Sequence, residues 1–330
     1  MADARRALLL ALIMALVAAL WTSPNAYGQP YPQKHLRIVV GFPSGGAQDT
    51  MARLIAQKLS ESLRRAVIIE NWPGGAGRLA AEHVARASPD GYTLMVGTAG
   101  LLTIYPSTYE RLRYSPQKDF ALIAQVVGFD LVLLTDPTRV PAKDLNEFIR
   151  WGRANAGKVN VADYGAGTPS HFAIALLNRA AGLDITAVHY DSSARAMQDT
   201  IGGQTHGMFN SVASAAVVVR RGLLRAIATT GEKRSKALPE VPTFLELGYP
   251  DLEFTAWFGF IAPAGVPEVI LDRLNGEIVR AVNAADVRAR LEAMGFVVTG
   301  TSRAQFARLV ERDTARWARA VSVAGFKASD

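Results

Sequence analysis

Apolar positions along the chain follow two alternating periods. Short β-branched runs that suit buried strands occur at 38–40, 67–70 and 92–96. After the first of these, Met51, Leu54, Ile55, Leu59 and Leu63 recur at helical spacing. A second helical pattern covers 79–87. Two apolar runs at 120–127 and 131–134 are stopped by Asp136-Pro137, and Leu145, Phe148, Ile149 and Trp151 then mark another helix. The alternation restarts with a strand at 159–162 and a helix carrying Phe172, Leu176, Leu177 and Ala180, for which Thr168 or Ser170 can serve as cap. Strands are expected at 185–189, 207–210 and 223–229, with helices at 194–201 and 213–220. An aromatic-rich strand at 254–261 leads into three helices over 268–283, 286–294 and 303–323, with a short strand at 296–299 between the last two.

Strands alternating with helices predict a parallel α/β sheet. The loops leaving the strands are rich in glycine: Pro43-Ser44-Gly45-Gly46, Pro73-Gly74-Gly75-Ala76-Gly77, Gly97-Thr98-Ala99-Gly100 and Gly165-Ala166-Gly167-Thr168. A glycine loop opening a helix points free N–H groups and the positive helix end at one spot, which suits an anion. A tight strand-to-helix turn alone would use the same residues. The restart at 159 adds a second strand, loop and helix. It predicts two α/β lobes, 29–125 with 229–330 and 126–228, joined by apolar runs that cross between them. Gly45-Gly46 would line one wall of the cleft and Gly165–Thr168 the other, each binding one end of a small anion and closing by a hinge.

Composition narrows the chemistry. The chain has 330 residues and no cysteine, so disulfides and thiol nucleophiles are excluded. Its net charge is +7, carried by scattered basic residues that read as solvated surface rather than a nucleic-acid track. Arg5 and Arg6 precede an apolar run over 7–21, shorter than the roughly 20 residues of a spanning helix. Ala26 and Gly28 fit the positions before a signal-peptidase cut, so 1–28 reads as a signal peptide cleaved near Gly28/Gln29, with delivery to the periplasm. There is no G-x-S-x-G elbow, H-E-x-x-H helix or G-x-x-x-x-G-K-[ST] loop. His35, His83, His171, His189 and His206 show no metal-ligand spacing, so no metal and no cofactor are expected. His171, which opens a helix beside a glycine loop, is expected to hold that loop's shape. Asp49 is expected to cap or stabilise its helix, and Arg78 to add charge to the cleft or lie on the surface.

These motifs together resemble the periplasmic solute-binding proteins of tripartite tricarboxylate transporters, the Bug or TctC family. The matching stretches are Tyr31-Pro32, Ile38-Val39-Val40-Gly41-Phe42-Pro43-Ser44-Gly45-Gly46 with Asp49, Glu70-Asn71-Trp72-Pro73-Gly74 and Pro89-Asp90-Gly91-Tyr92-Thr93-Leu94. Gly165-Ala166-Gly167-Thr168 with Ser170-His171, Ala237-Leu238-Pro239-Glu240-Val241-Pro242-Thr243, Trp257-Phe258-Gly259 and Ala262-Pro263-Ala264-Gly265-Val266-Pro267 complete the set, in order along the chain.

The resemblance implies a two-lobed, type II-like Venus-flytrap fold without catalysis. It implies capture of a dicarboxylate, tricarboxylate, acidic amino acid or aromatic acid by backbone amides and hydroxyls. By position, Ser44, Gly45 and Gly46 would hold one carboxylate with Thr98 and Ala99, and Gly167, Thr168 and Ser170 would face the other end with His171 behind. Asn210 joins this set, and Arg78 and Asp191 are further candidates. The implied partners are inner-membrane permease subunits, for a monomeric protein that does not bind nucleic acid. A carboxylate sensor signalling to a sensor kinase is the alternative, and a secreted α/β enzyme a more distant one. The chain departs from the family pattern at Tyr190-Asp191-Ser192, Phe209-Asn210-Ser211 and Tyr105, and it has Arg78 near a position where asparagine is common. These changes alter charge and size around the expected pocket.

Overall fold

The computed structural model describes residues 31–324 and Met14, so the expected signal peptide over 1–28 lies, Met14 apart, outside the described residues. The strands in chain order are β1 (Leu36–Val40), β2 (Val67–Asn71), β3 (Thr93–Thr98), β4 (Phe120–Phe129), β5 (Leu131–Thr135) and β6 (Val159–Asp163). β7 (Ile185–His189), β8 (Gly207–Ser211), β9 (Arg225–Thr229), β10 (Ala256–Pro263) and β11 (Val297–Val298) follow. The principal helices are α1 (Ala47–Leu63), α2 (Arg78–Ala85), α3 (Leu145–Ala154), α4 (Pro169–Ala181), α5 (Ser193–Ile201) and α6 (Val212–Arg220). After β10 come α7 (Glu268–Asn283), α8 (Ala285–Ala293) and α9 (Arg303–Ala324). No helix among the described residues is long and apolar enough to cross a membrane.

The strands form two sheets, one of order β11-β4-β10-β3-β1-β2 and one of order β7-β6-β8-β5-β9. In the first, Ile38 of β1 sits between Ile69 and Leu94 of its parallel neighbours. A strand flanked on both sides and covered on its faces is mostly apolar, and Leu36, Ile38, Val39 and Val40 are all buried, while Arg37 is half-buried and hydrogen-bonds Thr93. Met51, Ile55 and Leu59 of α1 are buried, as are Leu271, Leu274 and Ile278 of α7. Each such side chain contributes about 1.5–3 kcal/mol by leaving water. Gly259 of β10 admits the ring of Phe306 from α9, since a Cβ there would lie 2.5 Å from that ring. The second sheet has its own core, in which Val132, Leu134, Ala162 and Met208 meet Ala196, Met197, Val212 and Ala215 of α5 and α6.

The chain therefore makes two α/β lobes, as the restart of the pattern predicts. The crossing between sheets falls at Asp130, the single residue between β4 and β5 and later than the boundary expected at 125/126, because β4 continues to Phe129 as a partner of β10. The return crossing follows β9. Thr230 Oγ1 accepts the Leu131 N–H at 3.0 Å, and the Thr230 N–H donates to Leu131 O at 2.9 Å. Asp130 Oδ1 accepts the Thr255 hydroxyl at 2.9 Å, and burial raises its carboxyl to about 6. α9 reaches the second lobe, where Trp317 lies 5.8 Å from Phe172 of α4, ring to ring.

Candidate functional site

A cavity of about 80 Å³ lies between the lobes, several times the roughly 10–15 Å³ that one water needs. The first lobe lines it with Phe42, Pro43, Ser44, Gly46, Ala47 and Gln48 from the β1–α1 loop and helix start, with Thr98, Ala99 and Gly100 after β3, and with Tyr105. Phe129 and Ala256, Trp257 and Phe258, from the ends of β4 and β10, close that side. The second lobe supplies Tyr164 and Thr168 before α4 and Pro169 at its first position, Ser192, Ser193 and Ala194 at the start of α5, and Asn210, Ser211 and Ser214 around the start of α6. The lining, all of it among the described residues, contains no Asp, Glu, Lys, Arg or His.

Charge at this site comes from the backbone. α1, α4, α5 and α6 all begin at the cavity, with N-caps Gly46, Thr168, Ser192 and Ser211. Each helix start carries unpaired N–H groups and a positive partial charge of about half a unit. Two of the caps spend their hydroxyls internally: Ser192 Oγ accepts the Arg195 N–H at 3.5 Å and Ser211 Oγ the Ser214 N–H at 3.2 Å. Thr168 stands at the cap position of α4, but its hydroxyl donates to Gly165 O at 2.7 Å instead of capping the helix.

The two glycine loops are braced from outside the cavity. At the first, Asp49 Oδ2 accepts the Gly45 N–H and the Arg53 Nε–H, each at 2.9 Å, and Oδ1 accepts from Asn71 Nδ2, also at 2.9 Å. Burial pushes the Asp49 carboxyl up, but these hydrogen bonds and the charge of Arg53 outweigh it and hold the pKa below its ordinary value. At the second, Asp163 Oδ1 accepts the Gly165 N–H at 2.8 Å, and His171 Nδ1 accepts the Gly167 N–H at 3.1 Å. Asp163 Oδ2 pairs with His189 Nδ1 at 2.8 Å. Here burial wins and the Asp163 carboxyl is raised. His189 is raised by its hydrogen bond to Asp163, and His171 is lowered to about 3 by burial and by the neighbouring His189.

Asp163, His171 and His189 bring ligand-type atoms within 4.8 Å of one another. Sequence spacing showed no such group, because strand pairing across β6 and β7 creates it. Both Asp163 oxygens and the Nδ1 lone pair of His171 are already engaged in hydrogen bonds, so the cluster works as a loop brace.

Of the residues singled out in the sequence, Ser44, Gly46, Thr98, Ala99, Thr168 and Asn210 line the cavity. Gly45 has φ +84°, which turns it to a shallow groove beside Asp49 and Arg53. Ser170 and His171 sit behind the Thr168 loop, while Gly167, with φ +76°, faces the rings of Tyr105 and Tyr109 in the first lobe. Asp191 is exposed, and Arg78 stacks its guanidinium 3.8 Å above the ring of Tyr109. That ring is part of a contact between lobes: Tyr109 Oη donates to Ala166 O at 3.0 Å. Gly165 packs against Ala76 so closely that a Cβ would lie 2.8 Å from the alanine methyl.

Sequence reading named neither Gln48 nor Tyr164 as a site residue, took Trp257 only as part of a family stretch, and noted Ser192 and Ser211 only within departures from the family pattern rather than as helix starts. Serines before amphipathic runs at 192 and 211 carried a capping signal that marks those helix starts. Tyr105, noted only as a departure, follows a π-helical turn (Gly100–Ile104) that no sequence signal announced, and its hydroxyl donates to Ala76 O at 3.0 Å.

Two α/β lobes closing on a cavity walled by helix starts from both define a two-lobed solute-binding protein. The chain belongs to the tripartite tricarboxylate transporter family receptors, the TctC family, whose sequence pattern matches residues 51–326. This is a family of periplasmic binding proteins rather than enzymes. Among relatives, a protein encoded between tcbD and tcbE in Pseudomonas sp. strain P51 is 33% identical over 94% of this chain and 93% of its own length. Among solved structures, MatC of Rhodopseudomonas palustris with bound malate is 35% identical, with a TM-score of 0.84 over 88% of this chain and all of that one. A second R. palustris protein, solved with adipate, is 30% identical, with a TM-score of 0.86 over 90% of this chain and 99% of that one.

Proposed function

We propose that the mature protein captures a small carboxylate in the periplasm and passes it to the inner-membrane permease of a tripartite tricarboxylate-type transporter, acting as a monomer after cleavage near Gly28/Gln29. The observation that carries this reading is the convergence of four helix N-termini, from both lobes, on a cavity without acidic side chains. Helix N-termini favour an anion there. Malate and adipate on two relatives agree with that chemistry. Ser44, Gly46, Thr98 and Ala99 would hold the ligand from one lobe and Thr168 and Asn210 from the other. Gly45, Gly167, Ser170 and His171 would act by shaping the loops.

Mass spectrometry of the purified, denatured protein should release a small organic acid, and a panel of carboxylates should raise the thermal midpoint. Ligand at about 100 times its Kd stabilises by about 2.7 kcal/mol. Absence of a co-purified acid together with no shift across the panel would remove this reading. Co-purification or pull-down of permease subunits in a ligand-dependent manner would test the transport partner separately.

A further inference from the structure

Resting on the two-lobed capture read above, we infer that Arg78 and Ala76 are positioning residues for ligand binding: outside the cavity they build a clasp that holds the lobes closed and so scales affinity for every ligand alike. Neither residue lines the cavity. Arg78 opens α2 behind the glycine turn at 74–77. Its Nε–H donates to Gly75 O at 3.2 Å, and its guanidinium lies 3.8 Å above the Tyr109 ring. Tyr109 meets Tyr105 edge to face at 5.2 Å and donates its hydroxyl to Ala166 O of the second lobe at 3.0 Å. The guanidinium thus steadies the ring whose hydroxyl crosses between the lobes. A planar, charged fork suits that stacking better than a lysine ammonium.

The turn itself is strained. Ala76 has φ +52° and ψ +40°, a left-handed conformation uncommon for alanine. Strain of this kind persists where neighbours over-determine it. Here Ala76 O accepts the Tyr105 hydroxyl at 3.0 Å, and the Ala76 methyl lies against Gly165 of the second lobe. Gly167 completes the far side, where a Cβ would lie 3.2 Å from the Tyr105 ring and 3.3 Å from the Tyr109 ring. All of these contacts are made by the protein with itself. They favour the closed form whatever the cavity holds, and a ligand that needs the closed form binds with an affinity scaled by its population. Loosening the clasp therefore weakens every ligand by one common factor. Loss of a charge that attracts the ligand would instead act unequally on ligands of different charge.

The test is isothermal titration of the full mature chain with lactate, malate and adipate, beside a thermal melt. Arg78→Met should weaken each acid that binds by the same factor, about 3–10-fold, and Arg78→Lys by less. In a Tyr109→Phe background the Arg78→Met loss should shrink to about 2-fold or less. Ala76→Gly, which relieves the backbone strain and removes the methyl, should weaken all the acids about 2–5-fold with the thermal midpoint little changed. The chain has no cysteine, so dyes on Arg86→Cys and Lys158→Cys, exposed positions on the two lobes, read the closed fraction without ligand by energy transfer. Arg78→Met and Ala76→Gly should both lower it. Unchanged affinity in the folded variants, a loss that grows with ligand charge, a full Arg78→Met effect in Tyr109→Phe, or an unchanged closed fraction each overturns the clasp and leaves carboxylate capture standing. If no acid binds, carboxylate capture falls, and the closed fraction alone decides the clasp, a lowered value supporting it and an unchanged one overturning it.

Discussion

The two glycine loops that wall the cavity perform the same task with different electrostatics. In the first lobe Asp49 takes the Gly45 N–H while paired with Arg53, whose side chain is half exposed. Its hydrogen bonds and the charge of Arg53 hold that carboxyl below its ordinary pKa despite burial. In the second lobe Asp163 takes the Gly165 N–H from a fully buried position, with His189 and His171 as its neighbours. There, burial raises the acid and keeps His171 neutral. The first loop presents its backbone to the cavity through open space around Gly46. The second is pressed between its own brace and the opposite lobe, touching Ala76, Tyr105 and Tyr109. One loop is a fixed ledge. The other is a latch, sensitive to shape and to protons.

Substituting the glycines should separate the two roles most sharply. Gly165→Val places a branched side chain at φ +137° and against Ala76, so it should lose both stability and ligand affinity. The strain and the clash each cost about 1–3 kcal/mol. A variant that melts and binds like wild type would show that the second loop is not pressed in this way. Gly46→Val has ordinary extended backbone, φ −75°, and no atom nearer than 3.7 Å to the new Cβ. It should cost at most about 1 kcal/mol as a cap change, yet lower carboxylate affinity at least about tenfold by narrowing the cavity. Calorimetric binding beside a thermal melt reads both quantities, and equal losses in the two variants would erase the distinction.

Acid should act on the second loop. His171 has its pKa pulled from 6.5 to about 3, so below about 6.5 the unfolded chain binds a proton that the folded chain refuses. Stability supplied by neutral His171 is full above that value and is lost as pH falls through it toward 3. His189, raised by Asp163, works in the other direction: its contribution is present at low pH and lost as pH rises through its folded value. His171→Gln keeps an acceptor for the Gly167 N–H without the titration. Its thermal midpoint should therefore decline less than that of wild type between about pH 7 and 5. Parallel declines in the two proteins would count against the brace assigned to His171. The smallest effect is expected from Tyr109→Phe, which deletes one hydrogen bond across the cleft, about 0.5–1.5 kcal/mol. Affinity should drop by roughly 2–10-fold with little change in the melt of the ligand-free protein.

Local pattern determined much of this protein. β-branched runs such as Ile38–Val40 needed only burial to become strands, and the glycines after them could only turn. The repeated strand, loop and helix at 159–181 was enough to expect a second lobe, with Gly45-Gly46 and Gly165–Thr168 on opposite walls of a cleft. Other features arose from long-range pairing. The switch of sheets at Asp130 depends on β4 staying with β10, a partner more than a hundred residues away in sequence. The cluster of Asp163, His171 and His189 exists because β6 and β7 pair in register, and no local spacing encodes it. Gly45 and Gly46 are adjacent and identical in sequence. Only the backbone turn at φ +84° sends one to the Asp49 brace and leaves the other at the cavity. Gln48 looked like one more polar residue in the first turn of a helix. Only the fold brings the carbonyl of Val96 in β3 within 3.3 Å of its amide nitrogen, a contact between residues 48 positions apart that no local pattern encodes.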